Sequence, residues 1–162
     1  TWSHAYYAEL HCWSVVSLKY TITYVVHFLC SCKCIEILWR YASYPFPSFI
    51  ERAKRRADPF EVWGDGHQTR DFVHIDDIVA TVNAAIDQDY RDPLNIGTGR
   101  PTSFLALADL VCSEVGYKPE IVTYPEKPVG VFWRVSDPVM SFQVYQPRIT
   151  LEEGIRRALL TP

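Results

Sequence analysis

Residues 47–162 predict an α/β fold of the α+β kind. From Pro47 onward short β-prone runs alternate with amphipathic helical patterns, yet the strands lack the long apolar runs of a parallel sheet covered on both faces. The whole chain has 162 residues, 48% of them apolar and 22% charged, with a net charge of −3, the balance of one globular domain with a real core. That balance excludes a disordered chain, a collagen-like repeat and a polybasic tail. Sixteen Lys and Arg against nineteen Asp and Glu create no global cationic field, so no nucleic-acid partner is expected and any anion must meet local donors.

A change of composition falls after Phe46. Residues 1–46 hold eleven of the 23 aromatics, four of the five cysteines, five charged residues and no Gly or Asp, whereas all seven Gly lie in residues 47–162. Residues 1–46 are therefore treated as an atypical segment. Its most apolar run, Tyr20 to Trp39, is broken by His27, Lys33 and Glu36, so no membrane span is expected. The start shows no signal-peptide pattern. Cys30-x-Cys32-x-Cys34 with Cys12 lacks the paired spacing of a structural zinc site, so no metal is expected.

In the second part, Pro47 or Ser48 opens a helix to Arg56 with Phe49, Ile50, Ala53 and Ala57 on one face, and Asp58-Pro59 ends it. Phe60 to Trp63 reads as a strand, Gly64-Asp65-Gly66 as a tight turn and Thr69 to Ile75 as the returning strand of a hairpin. Asp76 caps the next helix, whose buried face is Ile78, Val79, Val82, Ala85 and Ile86. Pro93 to Ile96 reads as a short strand before Gly97-Thr98-Gly99. A helix from Thr102 or Ser103 to Val115 follows, with Phe104, Ala108, Val111, Cys112 and Val115 inward and Gly116 as its stop. Glu120 to Tyr124 and Phe132 to Val135 are strands, and Leu151 to Leu160 is a terminal helix.

Two features resemble sites and have plainer explanations. Gly97-x-Gly99-x-x-Thr102 approaches a dinucleotide fingerprint, but Thr replaces the third glycine, Pro101 sits inside the loop and no ribose-binding acid lies about twenty residues on. A glycine turn between elements explains it. Asp76-Asp77 resembles half a metal site, but a helix cap with a favourable first-turn charge explains it.

Chemistry concentrates in Gly64-Asp65-Gly66-His67-Gln68-Thr69-Arg70-Asp71-Phe72-Val73-His74-Ile75-Asp76-Asp77. With Asn95-Ile96-Gly97-Thr98-Gly99, then Lys127-Pro128-x-Gly130 followed by Arg134 and Asp137, and finally Leu151-Glu152-Glu153-Gly154-Ile155, this order of motifs resembles the extended short-chain dehydrogenase/reductase family of NAD-dependent sugar-nucleotide epimerases and dehydratases. The resemblance covers about residues 45–162. It implies the carboxy-terminal, nucleotide-sugar-binding part of a Rossmann-type epimerase/dehydratase, with Arg70 on the diphosphate and Arg134 as a second diphosphate ligand. A guanidinium beside a turn suits that task, since its planar fork matches phosphate oxygens, although pairing with a carboxylate is the alternative. Trp63 offers a face to a base or sugar, with packing as the alternative. His74 is expected to be a hydrogen-bonded structural residue.

The family also implies NAD or NADP in a full-length parent, hydride abstraction from a sugar carbon to give a keto-sugar, a cytoplasmic setting and frequent homodimers. It further carries a glycine-rich loop near its start and a Tyr-x-x-x-Lys pair. The five lysines at 19, 33, 54, 118 and 127 follow Val15, Leu29, Ile50, Glu114 and Thr123 by four residues, so no such pair occurs here. The expectation is therefore a truncated substrate-binding part without catalytic or cofactor-binding residues of its own, binding no cofactor alone. The alternative is a non-catalytic interaction module or an inactive gene product, with residues 1–46 as frame-shifted or non-family sequence.

Overall fold

The computed structural model describes residues 7–8 and 44–161. Helix α1 (Pro45–Lys54) begins two residues before the sequence-predicted start, because Pro45 supplies a preset first-turn φ and Phe46 joins the buried stripe of Phe49, Ile50 and Ala53. Strand β2 (Phe60–Trp63) alternates buried Phe60 and Val62 with the more open Glu61 and Trp63. The helix after β5 (Thr102–Ser103), α3 (Phe104–Val115), packs on α1 and β2, and α5 (Leu151–Leu160) packs on both helices. Phe49 meets Phe60 edge-on at 5.2 Å and Phe104 at 6.2 Å, so one ring joins a helix, a strand and a second helix. Each such fully buried ring contributes roughly 1.5–3 kcal/mol.

The expected β2 hairpin does not form. Gly64 and Gly66 both adopt φ +79° and carry the chain away from β2, which pairs in parallel with β6 (Ile121–Tyr124) in the register Phe60↔Ile121 to Trp63↔Tyr124. The returning strand divides into β3 (Thr69–Arg70) and β4 (Val73–His74). β3 is the centre of a separate three-stranded sheet, antiparallel to β5 and parallel to β7 (Trp133–Arg134). β4 pairs antiparallel with β1 (Tyr7–Ala8).

Other expectations shift for identifiable reasons. The cap of α2 (Ile75–Asp87) is His74, whose Nδ1 accepts from the Asp76 N–H at 3.1 Å, so Asp76 is helical and not the cap. The buried residues of α2 are Asp77 and Thr81, whereas Val79 is 38% exposed. The expected apolar face lacks enough neighbours among the described residues, where α2 packs chiefly on β4 and on α4 (Ser141–Val144), the short helix within the stretch read as irregular. Pro93 to Ile96 forms no strand, and Thr102 and Ser103 belong to β5. Ser103 nevertheless caps α3 by accepting from the Ala106 N–H at 3.1 Å, and Gly116 ends that helix at φ +70°. Helix α5 has the predicted bounds, capped by Thr150, and Cys112 is buried as expected. The cysteines at 12, 30, 32 and 34, and the run from Tyr20 to Trp39, lie outside the described residues. Among the described residues no helix is long and apolar enough to cross a membrane.

Candidate functional site

The parallel pairing of β3 with β7 sets Arg70 directly beside Arg134. Register partners on adjacent strands project from the same face, so two guanidinium stems leave the sheet side by side. Two guanidinium groups on one face offer several N–H donors to an anion. Both arginines line one cavity of about 190 Å³, together with Trp63 and Gln68 from the β2–β3 region, Phe49 and Arg52 of α1, Phe104 at the start of α3, and the 128–131 segment. Among the described residues its lining holds three arginines and no acid.

Arg70 is 6% exposed, which is unusual for a guanidinium. Its Nη1 donates to the Thr69 carbonyl at 2.9 Å and its plane lies 5.2 Å from the centre of the Phe104 ring, a cation–π contact that fixes its direction. The Lys127-Pro128-x-Gly130 run passes nearby, since a Cβ on Gly130 would stand 3.4 Å from Arg70 Nη2. The next strand position is held too, since the Asp71 N–H donates to the Arg134 carbonyl at 3.1 Å.

Trp63 is half-buried at the cavity, with Lys127 Nζ 5.9 Å from its ring centre, so one residue of the 125–131 connector already uses the indole. Gln68 is buried. Its Nε2 donates to the Trp63 carbonyl at 3.3 Å, while its buried Oε1 has no hydrogen-bond partner among the described residues. The sequence therefore singled out three residues, Trp63, Arg70 and Arg134, that the structure brings to one cavity. It missed Arg52 and Gln68. Arg52 sat within the charged run Glu51-Arg52-Lys54-Arg55, which reads as a solvated face. The available signal was its one-turn spacing from Ser48, which also lines the cavity.

Asp71 is the organiser behind this wall. Its carboxylate accepts from the N–H groups of Thr98 at 3.0 Å and Gly99 at 3.0 Å, and from the hydroxyls of Thr98 and Ser136. One side chain thus ties the Gly97-Thr98-Gly99 turn and the segment after Arg134 to β3. Gly97 packs so tightly against Ser136 and Asp71 that a Cβ would overlap both. The same contacts settle the chemistry of the glycine turn. Its N–H groups face a carboxylate, and a dinucleotide diphosphate brought there would meet a like charge, so these residues do not fit a dinucleotide cofactor.

Asp77 performs a similar task for α2. It is almost wholly buried and accepts from the N–H groups of Arg148 at 3.0 Å and Ile149 at 2.9 Å and from the Tyr145 hydroxyl at 3.2 Å. Asp76 is exposed and lies 3.4 Å from Arg157, so the two carboxylates point to different partners. Among the described residues no cluster could hold a metal ion. His74 is 2% exposed and its pKa is pushed below the ordinary 6.5, chiefly by burial, in keeping with an imidazole whose Nδ1 must stay bare to accept the cap hydrogen bond.

Residues 42–97 match the NAD dependent epimerase/dehydratase family. GDP-mannose 3,5-epimerase of Arabidopsis thaliana is 37% identical over 111 residues, an overlap of 67% of this chain and 29% of that protein. A dTDP-4-dehydro-6-deoxy-D-allose reductase from a Streptomyces species is 32% identical over 115 residues, covering 68% of this chain and 35% of the reductase. Among solved structures, UDP-glucose 4-epimerase of Thermotoga maritima with UDP-glucose superposes with a TM-score of 0.61 at 29% identity, over 70% of this chain and 37% of that one. The chain spans about a third of the length of the curated relatives it matches.

Proposed function

Because this chain belongs to the NAD-dependent epimerase/dehydratase family, we propose that its described part is the nucleotide-sugar-binding portion of a cytoplasmic epimerase/dehydratase, with Arg70 and Arg134 on the diphosphate and Trp63 against the base or sugar. The observation that carries this is the register pair Arg70↔Arg134 at one cavity lined by three arginines and no acid among the described residues. A volume of about 190 Å³ is below the roughly 300–1,000 Å³ of a complete small-molecule site, so the cavity suits the diphosphate and an adjoining ring. Asp71 holds the two strands in position, and the Phe104 ring and the Thr69 carbonyl orient the Arg70 fork. Two of the named relatives act on nucleotide-linked sugars by their names, and the Thermotoga structure contains UDP-glucose.

The family's name carries the cofactor, NAD, but no step through a dinucleotide is assigned to these residues. The glycine turn is filled by Asp71, and the sequence contains no Tyr-x-x-x-Lys. The division at residue 46 is kept as part of the proposal, with residues 47–162 as the binding portion.

Calorimetric titration of the 162-residue chain with UDP-glucose and GDP-mannose at low salt tests the assignment. Loss of one charge-assisted contact of about 1.5–3 kcal/mol predicts roughly 10- to 150-fold weaker binding for Arg70→Ala, a partial recovery in Arg70→Lys, and a smaller loss in Arg134→Ala. Equal affinity in wild type and Arg70→Ala would show that the phosphate site lies elsewhere.

A further inference from the structure

We propose that His74 and Asp76 form a pH-sensitive switch: on protonation the imidazole changes from accepting the Asp76 backbone N–H to donating to the Asp76 carboxylate, and the ion pair that ties the terminal helix α5 to α2 is given up. One carboxylate oxygen has two claimants. Asp76 Oδ2 lies 3.4 Å from Arg157 Nη1 on α5 and 3.5 Å from His74 Nδ1. While the imidazole is neutral, Arg157 alone of the two can donate to that oxygen, since His74 Nδ1 is bare and accepts from the Asp76 N–H at 3.1 Å. A proton on Nδ1 turns that nitrogen from acceptor to donor. It then faces an N–H that it cannot bond and a carboxylate that it can, both on the same residue.

Burial decides which cation keeps the carboxylate. The His74 side chain is 2% exposed, whereas Arg157 is 40% exposed and also donates through Nε to Glu153 at 2.8 Å. A buried imidazolium without a close counter-charge costs more than a solvated guanidinium that retains a second carboxylate. The other charged groups around His74 are already engaged. Asp77 accepts on one oxygen from the Arg148 N–H and the Tyr145 hydroxyl and on the other from the Ile149 N–H, and Glu153 holds Arg156 and Arg157 on α5. From the remaining side β1 pairs with β4, with Tyr7 opposite His74 in register. Burial keeps the imidazole neutral at pH 7, and the Asp76 carboxylate is the leading group pulling the other way, so the exchange belongs below pH 6.5. Helix α5 stays in the core through Ile155 and Ala158, and what it loses is its tie to the start of α2.

NMR of the isotope-labelled 162-residue chain across mildly acidic pH tests the exchange. At neutral pH the His74 ring is expected as the Nε2–H tautomer. As it titrates, the protection of the Asp76 amide against hydrogen exchange should fall at least about threefold, and the Arg157 Nε–H signal should shift with the same midpoint. Asp76→Asn, which removes the negative charge, should move the His74 midpoint down by about half a pH unit or more, and Arg157→Gln, which removes the competitor, should move it up. The switch is overturned if the chain unfolds before His74 titrates, if the ring titrates while the Asp76 amide and the Arg157 signal stay still, or if a folded variant leaves the midpoint in place. Should Asp76→Asn fail to fold by circular dichroism, the wild-type signals and Arg157→Gln decide by the same outcomes.

Discussion

Replacing Asp71 by Ala removes the acceptor that joins three parts of the site wall. The two hydroxyls, on Thr98 and Ser136, can turn to water, but the N–H groups of Thr98 and Gly99 lie beneath the 134–138 segment and lose a charged partner held at 3.0 Å. Leaving a buried donor unsatisfied costs about 1–3 kcal/mol, and partial exposure of this carboxylate places each of the two N–H groups toward the lower end. The expected loss is therefore about 2–4 kcal/mol for Asp71→Ala, and about half that for Asp71→Asn, which keeps one acceptor oxygen but turns an amide donor toward other donors. Urea unfolding gives the energies, and amide hydrogen exchange at Thr98 and Gly99 gives the location. An Asp71→Ala protein within about 0.5 kcal/mol of wild type, with both amides equally protected, would refute the role given to this carboxylate.

Stability should also respond to the His74 imidazole. Its pKa in the folded protein lies below the ordinary 6.5, so the unfolded chain binds the proton first as pH falls. The contribution is present above about pH 6.5 and is lost as pH falls from there through the lower folded value. His74→Asn, which keeps a capping acceptor, should flatten the unfolding free energy between pH 6.5 and 5 relative to wild type, and an unchanged slope would assign the pH dependence to other groups. Two glycines give a paired test of close packing. Gly64 and Gly116 both adopt a left-handed conformation, but a Cβ would overlap Gln68 and Val129 at Gly64 and meets nothing within 4 Å at Gly116. Gly116→Ala should cost about 1–2 kcal/mol in denaturant unfolding, and Gly64→Ala about 1–3 kcal/mol more.

What the sequence made legible follows from what is local. The α5 bounds, the β2 span and the Gly116 stop depend on caps, alternation and a left-handed residue within a few positions, and the structure keeps them. Partner choice is not local. Gly64-Asp65-Gly66 between two β-prone runs resembles a hairpin turn, yet β2 takes β6, about sixty residues later, because only that pairing buries Phe60 and Val62 beneath α3. The inward turn of Asp77 depends on the Arg148 and Ile149 N–H groups arriving from far along the chain, whereas the His74 cap is a local contact with the Asp76 N–H that an Asp at the next-but-one position disguises in the sequence. At the cavity, the motif residues were readable as chemistry, whereas Arg52 was hidden because a helical charge and a cavity-lining charge look alike until the neighbouring wall is known.

The pairing of β3 with β7 also closes a long loop. Arg70 and Arg134 are 64 positions apart, so the cavity has its cationic pair only when the chain closes that long loop, an entropic cost that a local helix does not carry. Closure sets two guanidinium groups on one sheet face. A polyvalent anion that accepts from both holds the two strands together, so its occupancy is expected to raise the unfolding free energy of the chain through linkage.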